Sequence, residues 1–452
     1  MTGVLPEARD RAGRMTAAEV DQILGKVAAA QRGWAAVSRA GRVEVVRRLA
    51  QTLRDRRDTL AALVTEEMGK PVTQAGSEID KCARACDFYA DHAAEYLEPT
   101  PVDAPFDESF VRYDPLGVIL GVMPWNFPFW QVLRLVAPAL LAGNAIVLKH
   151  ASNVPGCALA IERLVADSGA PPDLFRALLV DAADVEPVIA DPRVAAVCAT
   201  ASSQAGAAVA SVAGRYLKKH VLELGGSDAF IVLDDADLGQ AAAEAVTARM
   251  LNAGQSCVAA KRFLVQSAVA DEFTERFVQA VGRLVVGDPT DPRTEVGPLA
   301  RPDLAEEAAR QVQASLGMGA RLLAGSARAR GAYFDPAVVS DVTPDMPVFA
   351  EETFAPVAAI MAAPDDDALV ALANHSQYGL GASIWTPDLA RARRLAARLE
   401  CGCVFVNSRV SSDPALPFGG VKQSGYGREL GSFGIRELTN IKAVAMRDPG
   451  AR

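Results

Sequence analysis

Residues 117–128 read GVILGVMPWNFP. The first seven form an apolar run of strand length, and the prolines that follow break any further ladder. A run that is apolar on both faces belongs to a sheet covered on both sides. The same kind of run recurs at NAIVLKH (144–150), VAAVCAT (194–200) and KHVLEL (219–224). Helical patterns at 132–141 and 158–166 lie between them. Buried strands alternating with helices imply an α/β chain with a mostly parallel, doubly wound sheet. Its ligand site is expected at the carboxyl ends of the strands.

Upstream, from Thr16 to about Leu97, apolar residues recur at three and four, as in Val43, Val46, Leu49 and Leu53. That spacing predicts helices. Residues 99–116 change character: four prolines, acidic residues and the alternating SFVRYD suggest a hairpin standing off the main body. Downstream of Gly226 a second α/β stretch begins. AFIVL (229–233) precedes a helical pattern at 241–250, and RFLVQ (262–266) precedes another at 271–284. Further strands are expected at 357–361, SIWT (383–386) and GCVFVN (402–407).

A chain of 452 residues, half of them hydrophobic, has material for two or more cores. The net charge of −9 argues against nucleic acid or an anionic membrane as the main partner. No apolar leader and no membrane-spanning run are read. Seven scattered cysteines, an odd number, fit a reducing cytoplasm. The four histidines lie far apart and no paired CxxC occurs, so no metal is expected.

Five stretches carry candidate chemistry. PWNFP (124–128) holds the Asn126 amide rigidly at a strand's carboxyl end, though alone it also reads as a Pro-rich turn with a capping Asn. ELGG (223–226) sets a carboxylate before two glycines that allow close approach of a ligand; alone it is also a surface Glu before a turn. LNAGQSC (251–257) surrounds the Cys257 thiol with small residues that leave room for a substrate. EETFAP (351–356) and the glycine-rich PFGGVKQSGYGRE (417–429) complete the set, and the latter lacks the order of a phosphate loop.

Taken in order, these motifs resemble the NAD(P)-dependent aldehyde dehydrogenase superfamily from about Thr16 to Met446, with Glu223 and Cys257 34 residues apart as is usual there. KHASN and PWNFPFWQVLR look most like its succinate-semialdehyde dehydrogenase branch. The resemblance implies that Cys257 is the nucleophile. Asn126 and the Cys257 N–H would hold the oxyanion, and Glu223 would act as the base. On the cofactor side it implies Trp125, Lys149, Ser152, Thr200, Ser202, Gly225, Glu352 and Phe354. Where many relatives carry a Glu, this chain has the neutral Ser152, so NADP is expected to be accepted and preferred over NAD. Two departures stand out: Thr200-Ala201-Ser202 in place of the family's Thr-Gly-Ser, and Ala355 in place of a Gly.

For the substrate, the resemblance implies a carboxylate held by Arg134 and Ser412; Arg134 alone could equally be paired with a structural Glu. A further Arg found in some members is replaced here by Leu251. One anchoring cation instead of two would allow a looser preference among short aldehydes. His150 is read as a packing or ribose-edge residue. The implied architecture is an aldehyde dehydrogenase-like α/β fold in three parts. A doubly wound, parallel-sheet NAD(P)-binding domain comprises 1–99 and 117–226, and an α/β catalytic domain comprises 227–425. A small oligomerisation element with the C-terminal tail comprises 100–116 and 426–452, serving a homodimer or tetramer. The competing readings are a broad-specificity short-chain aldehyde dehydrogenase, an acylating relative, a silent binding member, and a non-redox cysteine hydrolase. The last lacks a GxSxG elbow, since GGSDA (225–229) fails at its final position.

Overall fold

The computed structural model describes residues 14–449. The first thirteen residues and the last three, which fall in the spans assigned to the cofactor domain and the C-terminal tail, lie outside the described residues. The helical pattern upstream of residue 97 resolves into four helices: Ala17–Ala35, Arg39–Asp55, Arg57–Met68 and Val72–Tyr96. Thr16 and Glu19 form a capping box on the first. Gly69 ends the third in the left-handed conformation, φ 75°, where a Cβ would meet Pro298 Cγ at 2.8 Å. The fourth buries Ala75, Ile79, Cys82, Cys86 and Tyr89 along one stripe. Burial pushes the Cys86 thiol up to about 12, so it is an inert part of the core.

The GVILGVM run forms the strand Val118–Met123 at the middle of a six-stranded sheet. Its parallel neighbours are Ala145–His150 on one side and Val194–Thr200 on the other. Phe175–Ala177 extends the first side and Lys219–Glu223 the second. The order reverses about Val118–Met123, so a crevice opens at its carboxyl end, where PWNFP begins. In the register, Met123 lies beside His150 and Thr200 beside Glu223. Gly425–Tyr426 closes the edge antiparallel to Lys219–Glu223.

The helix Trp130–Leu141 is buried at every position. A carboxylate reaches its amino end from another helix: Glu78 Oε1 accepts from Phe129 N at 2.9 Å and Trp130 N at 3.0 Å. The other Glu78 oxygen pairs with Lys70, and both side chains are 1% exposed. The Lys70 ammonium lies 3.8 Å over the Phe127 ring. Helix cap and ion pair together fasten the PWNFP loop to the Val72–Tyr96 helix. Removing one member of a buried pair strands the other charge, at a cost of about 3–5 kcal/mol. Glu78→Ala is therefore expected to lower stability by about that amount, read as a fall in the urea midpoint. A midpoint shift no larger than that of a surface Glu→Ala change would refute this.

The second sheet has seven strands in the order Arg321–Ala324, Ala337–Ser340, Val357–Ala363, Ala260–Gln266, Asp228–Val232, Gly381–Trp385 and Cys403–Val406. Only its first pair is antiparallel. Its core gathers Phe230, Phe263, Phe273, Phe277 and Trp385. The third sheet is the expected hairpin, Thr100–Pro101 with Glu108–Pro115, joined antiparallel by Thr439–Met446. SIWT begins two residues late as a reading of its strand, and Thr386 lies beyond it, donating its hydroxyl to Asp235 at 2.9 Å. Among the described residues no helix is long and apolar enough to cross a membrane.

Candidate active site

The PWNFP loop is pinned from below by His150. Its Nε2 lies 2.9 Å from Pro128 O, and its Nδ1 accepts from Ala151 N at 2.9 Å. Burial holds this imidazole down to about 4, so it is neutral and serves the loop rather than as a base. Asn126 is buried, and its Nδ2 donates to Gln255 O at 3.1 Å. That bond uses one of the two amide hydrogens and leaves the other available. In return Asn252 Nδ2 donates to Asn126 O at 2.8 Å. Asn126 is thus tied to the cysteine loop by two cross-links, one through its side-chain amide and one through its backbone carbonyl.

That loop runs through three left-handed residues, Asn252 (φ 56°), Ala253 (φ 51°) and Gly254 (φ 74°). Two of the three carry a Cβ, so the surroundings must hold them there. Arg249, fully buried, donates to the carbonyls of Gly254 at 2.9 Å, Thr353 at 3.2 Å and Ala355. A Cβ on Gly254 would strike the Arg249 guanidinium and the Ala355 carbonyl. Gln255 Oε1 accepts from Ala300 N at 2.9 Å, and Lys261 Nζ donates to Cys257 O at 2.8 Å. The small residues before the thiol therefore serve the loop's own tight path, which reading them as space for substrate missed. Ala355 stands in the same network through its carbonyl.

Cys257 keeps a little exposed surface and the rest of it is enclosed. Its backbone N–H makes no hydrogen bond among the described residues. Glu223 stands close enough to the thiol for the two to shift each other's titration, and its buried Oε1 makes no hydrogen bond among the described residues. Burial, and then the Glu223 charge, push the thiol well above its ordinary range. Burial also raises Glu223, against the pull of Arg134 and of the thiol itself. Arg134 Nη2 lies 3.1 Å from Glu223 Oε2 and 3.0 Å from Thr200 Oγ1. Its Nε lies 2.6 Å from Glu429, which burial pushes up to about 7. A thiol beside a carboxylate has the chemical groups of a nucleophile and a base.

The remaining residues singled out from the sequence fall as follows. Arg134, expected to face a substrate, spends most of its guanidinium on Glu223, Glu429 and Thr200, though it also reaches the cavity wall. Thr200, expected beside the cofactor, is buried with its hydroxyl on Arg134. Ser202 caps the helix Ser203–Arg215 by accepting from Ala205 N at 3.3 Å. Lys149 is half-buried at the end of its strand, and Ser152 is exposed just beyond. Trp125 and Phe354 meet edge to face, centroids 5.8 Å apart. Glu352 accepts from Gly226 N at 3.0 Å and sits so close to Gly225 that a Cβ there would strike it. Ser412 accepts from Lys81 and Trp130. Sequence reading passed over Arg249, Lys261, Lys81 and Glu429; only Glu429 lay in a quoted motif, noticed there for its glycines.

Cys257 opens into a cavity of about 360 Å³ walled by Phe127, Trp130, Phe418, Leu251 and Ser412 among others. That volume suits a small molecule. A thiol and a carboxylate at such a cavity, beside the switch point of a doubly wound sheet, fit the dinucleotide-binding α/β class. The sequence matches the aldehyde dehydrogenase family over residues 7–444, and the chain belongs to that family. It is 47% identical to the succinate semialdehyde dehydrogenase [NAD(P)+] of Escherichia coli K12, covering 94% of this chain and 93% of that one. A probable NADP(+) succinate-semialdehyde dehydrogenase of Synechocystis is 49% identical, covering 90% of each. Among solved structures, the succinic semialdehyde dehydrogenase of Streptococcus pyogenes in complex with NADP+ superposes with a TM-score of 0.94 at 38% identity, covering 96% of each chain.

Proposed function

We propose that the protein oxidises succinate semialdehyde to succinate with NADP as the electron acceptor. The observation that carries this reading is a cavity whose wall brings Cys257 together with Arg134 and Ser412. The names of the relatives point the same way. The dinucleotide's residues fit: Lys149 makes no ion pair among the described residues, Ser152 brings no negative charge, and the amino end of the Ser203–Arg215 helix favours a pyrophosphate. Trp125, Phe354, Glu352 and Gly225 would take the nicotinamide end. When bound, the dinucleotide supplies the two-electron acceptor that separates aldehyde from acid.

Cys257 Sγ bonds to the aldehyde carbon after its proton passes to water. The new alkoxide is held by the free Asn126 N–H and the Cys257 backbone N–H; one such donor is worth about 3–4 kcal/mol in the transition state. After oxidation the acyl group remains on Sγ as a thioester. Glu223 then takes a proton from water, and the hydroxide displaces Cys257 and releases the acid.

Initial rates with succinate semialdehyde and butanal, each with NADP and NAD, test the reading. The expected outcome is a kcat/KM at least about tenfold higher for succinate semialdehyde, and higher with NADP than NAD. Equal rates on both aldehydes would make the enzyme a broad-specificity member, and a strong NAD preference would overturn the cofactor assignment. Aldehyde loss without reduced cofactor would point to a different chemistry.

The division into a cofactor domain, a catalytic domain and an oligomerisation element is part of the same proposal. Ile441 and Met446 are exposed on the three-stranded sheet, which supports its use in a homodimer or tetramer. All seven cysteines are free, which supports a reducing cytoplasm.

A further inference from the structure

The cavity beside Cys257 has an imbalance of charge. Lys70 is matched by Glu78, Arg409 by Glu244 at 2.8 Å, and Arg134 by Glu223 and Glu429, while Arg84, also lining the cavity, is exposed. Lys81, on the Val72–Tyr96 helix, lines the same cavity, and no carboxylate lies within ion-pair distance of it among the described residues. Its Nζ donates to Ser412 Oγ at 2.7 Å and stands 4.1 Å over the Trp130 ring. Trp130 Nε1 donates to the same oxygen at 3.0 Å.

A hydroxyl that accepts two hydrogen bonds must direct its own proton elsewhere. Ser412 is 6% exposed, and its O–H finds no acceptor among the described residues. Arg134 Nη1 likewise makes no hydrogen bond there. A fixed ammonium, a spare hydroxyl donor and a neighbouring guanidinium, with no anion between them, form a receptor for a carboxylate. Burial, then the charge of Arg134, holds the Lys81 ammonium down to about 8, and an anion in the cavity would relieve both effects.

We infer that Lys81 is a substrate-binding residue that, with Ser412, takes up the far carboxylate of the aldehyde while its carbonyl end faces Cys257. The inference rests on the proposed oxidation of succinate semialdehyde and adds the residue that selects for its charge. It also revises the expectation of a single anchoring cation: Leu251 removes one, and Lys81 supplies another from a different helix. Since Lys81 and Ser412 are 331 residues apart in sequence, no motif could join them.

The test is the preference ratio, kcat/KM for succinate semialdehyde over that for butanal, in the wild type and in Lys81→Met. The ratio is expected to fall at least about tenfold in the variant, chiefly through KM for succinate semialdehyde, and to be largely restored by Lys81→Arg. Thermal unfolding shows whether each variant is folded; should Lys81→Met fail, Lys81→Gln takes its place. A wild type that prefers succinate semialdehyde with a ratio unchanged in the folded variant overturns the role of Lys81 and leaves the proposed function standing. A wild type without the preference overturns both.

Discussion

Replacing Cys257 with alanine is expected to lower kcat/KM by at least about 10⁴-fold, the scale seen when a nucleophile is removed from a concerted site. The loss should come without loss of fold, because the loop is held by neighbours and not by the thiol. Arg249, Gln255, Asn252 and Lys261 anchor it through backbone atoms that the substitution leaves in place. Circular dichroism and NADP binding should therefore match the parent. In the parent enzyme kcat/KM should rise with pH. Burial and the Glu223 carboxylate lift the thiol, so the neutral form dominates near neutrality and the reactive thiolate grows as protons are withdrawn. A flat profile from about pH 6 to 9, or an active Cys257→Ala protein, would remove this residue from the chemistry.

Glu223→Gln should act on a different step. Gln keeps the size of the side chain and an oxygen for the Arg134 donor at 3.1 Å, but it cannot take a proton from water. Steady-state turnover should fall by about 10²–10⁴-fold. The first turnover needs no water, so a burst of reduced cofactor approaching one per site should survive. Loss of the burst with the steady rate would place Glu223 before acylation, and an unchanged steady rate would exclude it as the base. The Arg134 contact matters to the parent: burial raises the Glu223 carboxyl, and the arginine opposes this. Glu429, on the opposite side of the arginine, shares that charge and is itself held near neutral pH.

How much of this was legible beforehand depends on the range of the interaction. The strands at GVILGVM, NAIVLKH, VAAVCAT and KHVLEL were readable because a doubly covered strand needs an unbroken apolar run. The hairpin was readable from its alternation and turn residues; its third strand, Thr439–Met446, joins it from the far end of the chain. The cysteine loop was misread in purpose. Its small residues looked like room for a ligand, yet Asn252, Ala253 and Gly254 adopt left-handed backbone and Gly254 crowds against Arg249. Nothing local in the sequence tells a loop that is open from one that is tightly wound. Thr200 was assigned to the cofactor by the family resemblance; in the structure it ends its strand beside Glu223, with its hydroxyl on Arg134.

By itself, then, the sequence determined the alternation of buried strands and helices, and the presence of a thiol, a carboxylate and an amide in a telling order. Those are properties of periodicity and turn chemistry, which act over a few residues. Which charges meet was decided only by the tertiary structure. Glu78 caps a helix 51 residues away, Arg134 bridges Glu223 and Glu429, and Lys81 reaches a serine 331 residues on. The reason is that a buried charge is held or left free by whatever packs against it, and packing joins residues that the chain keeps far apart.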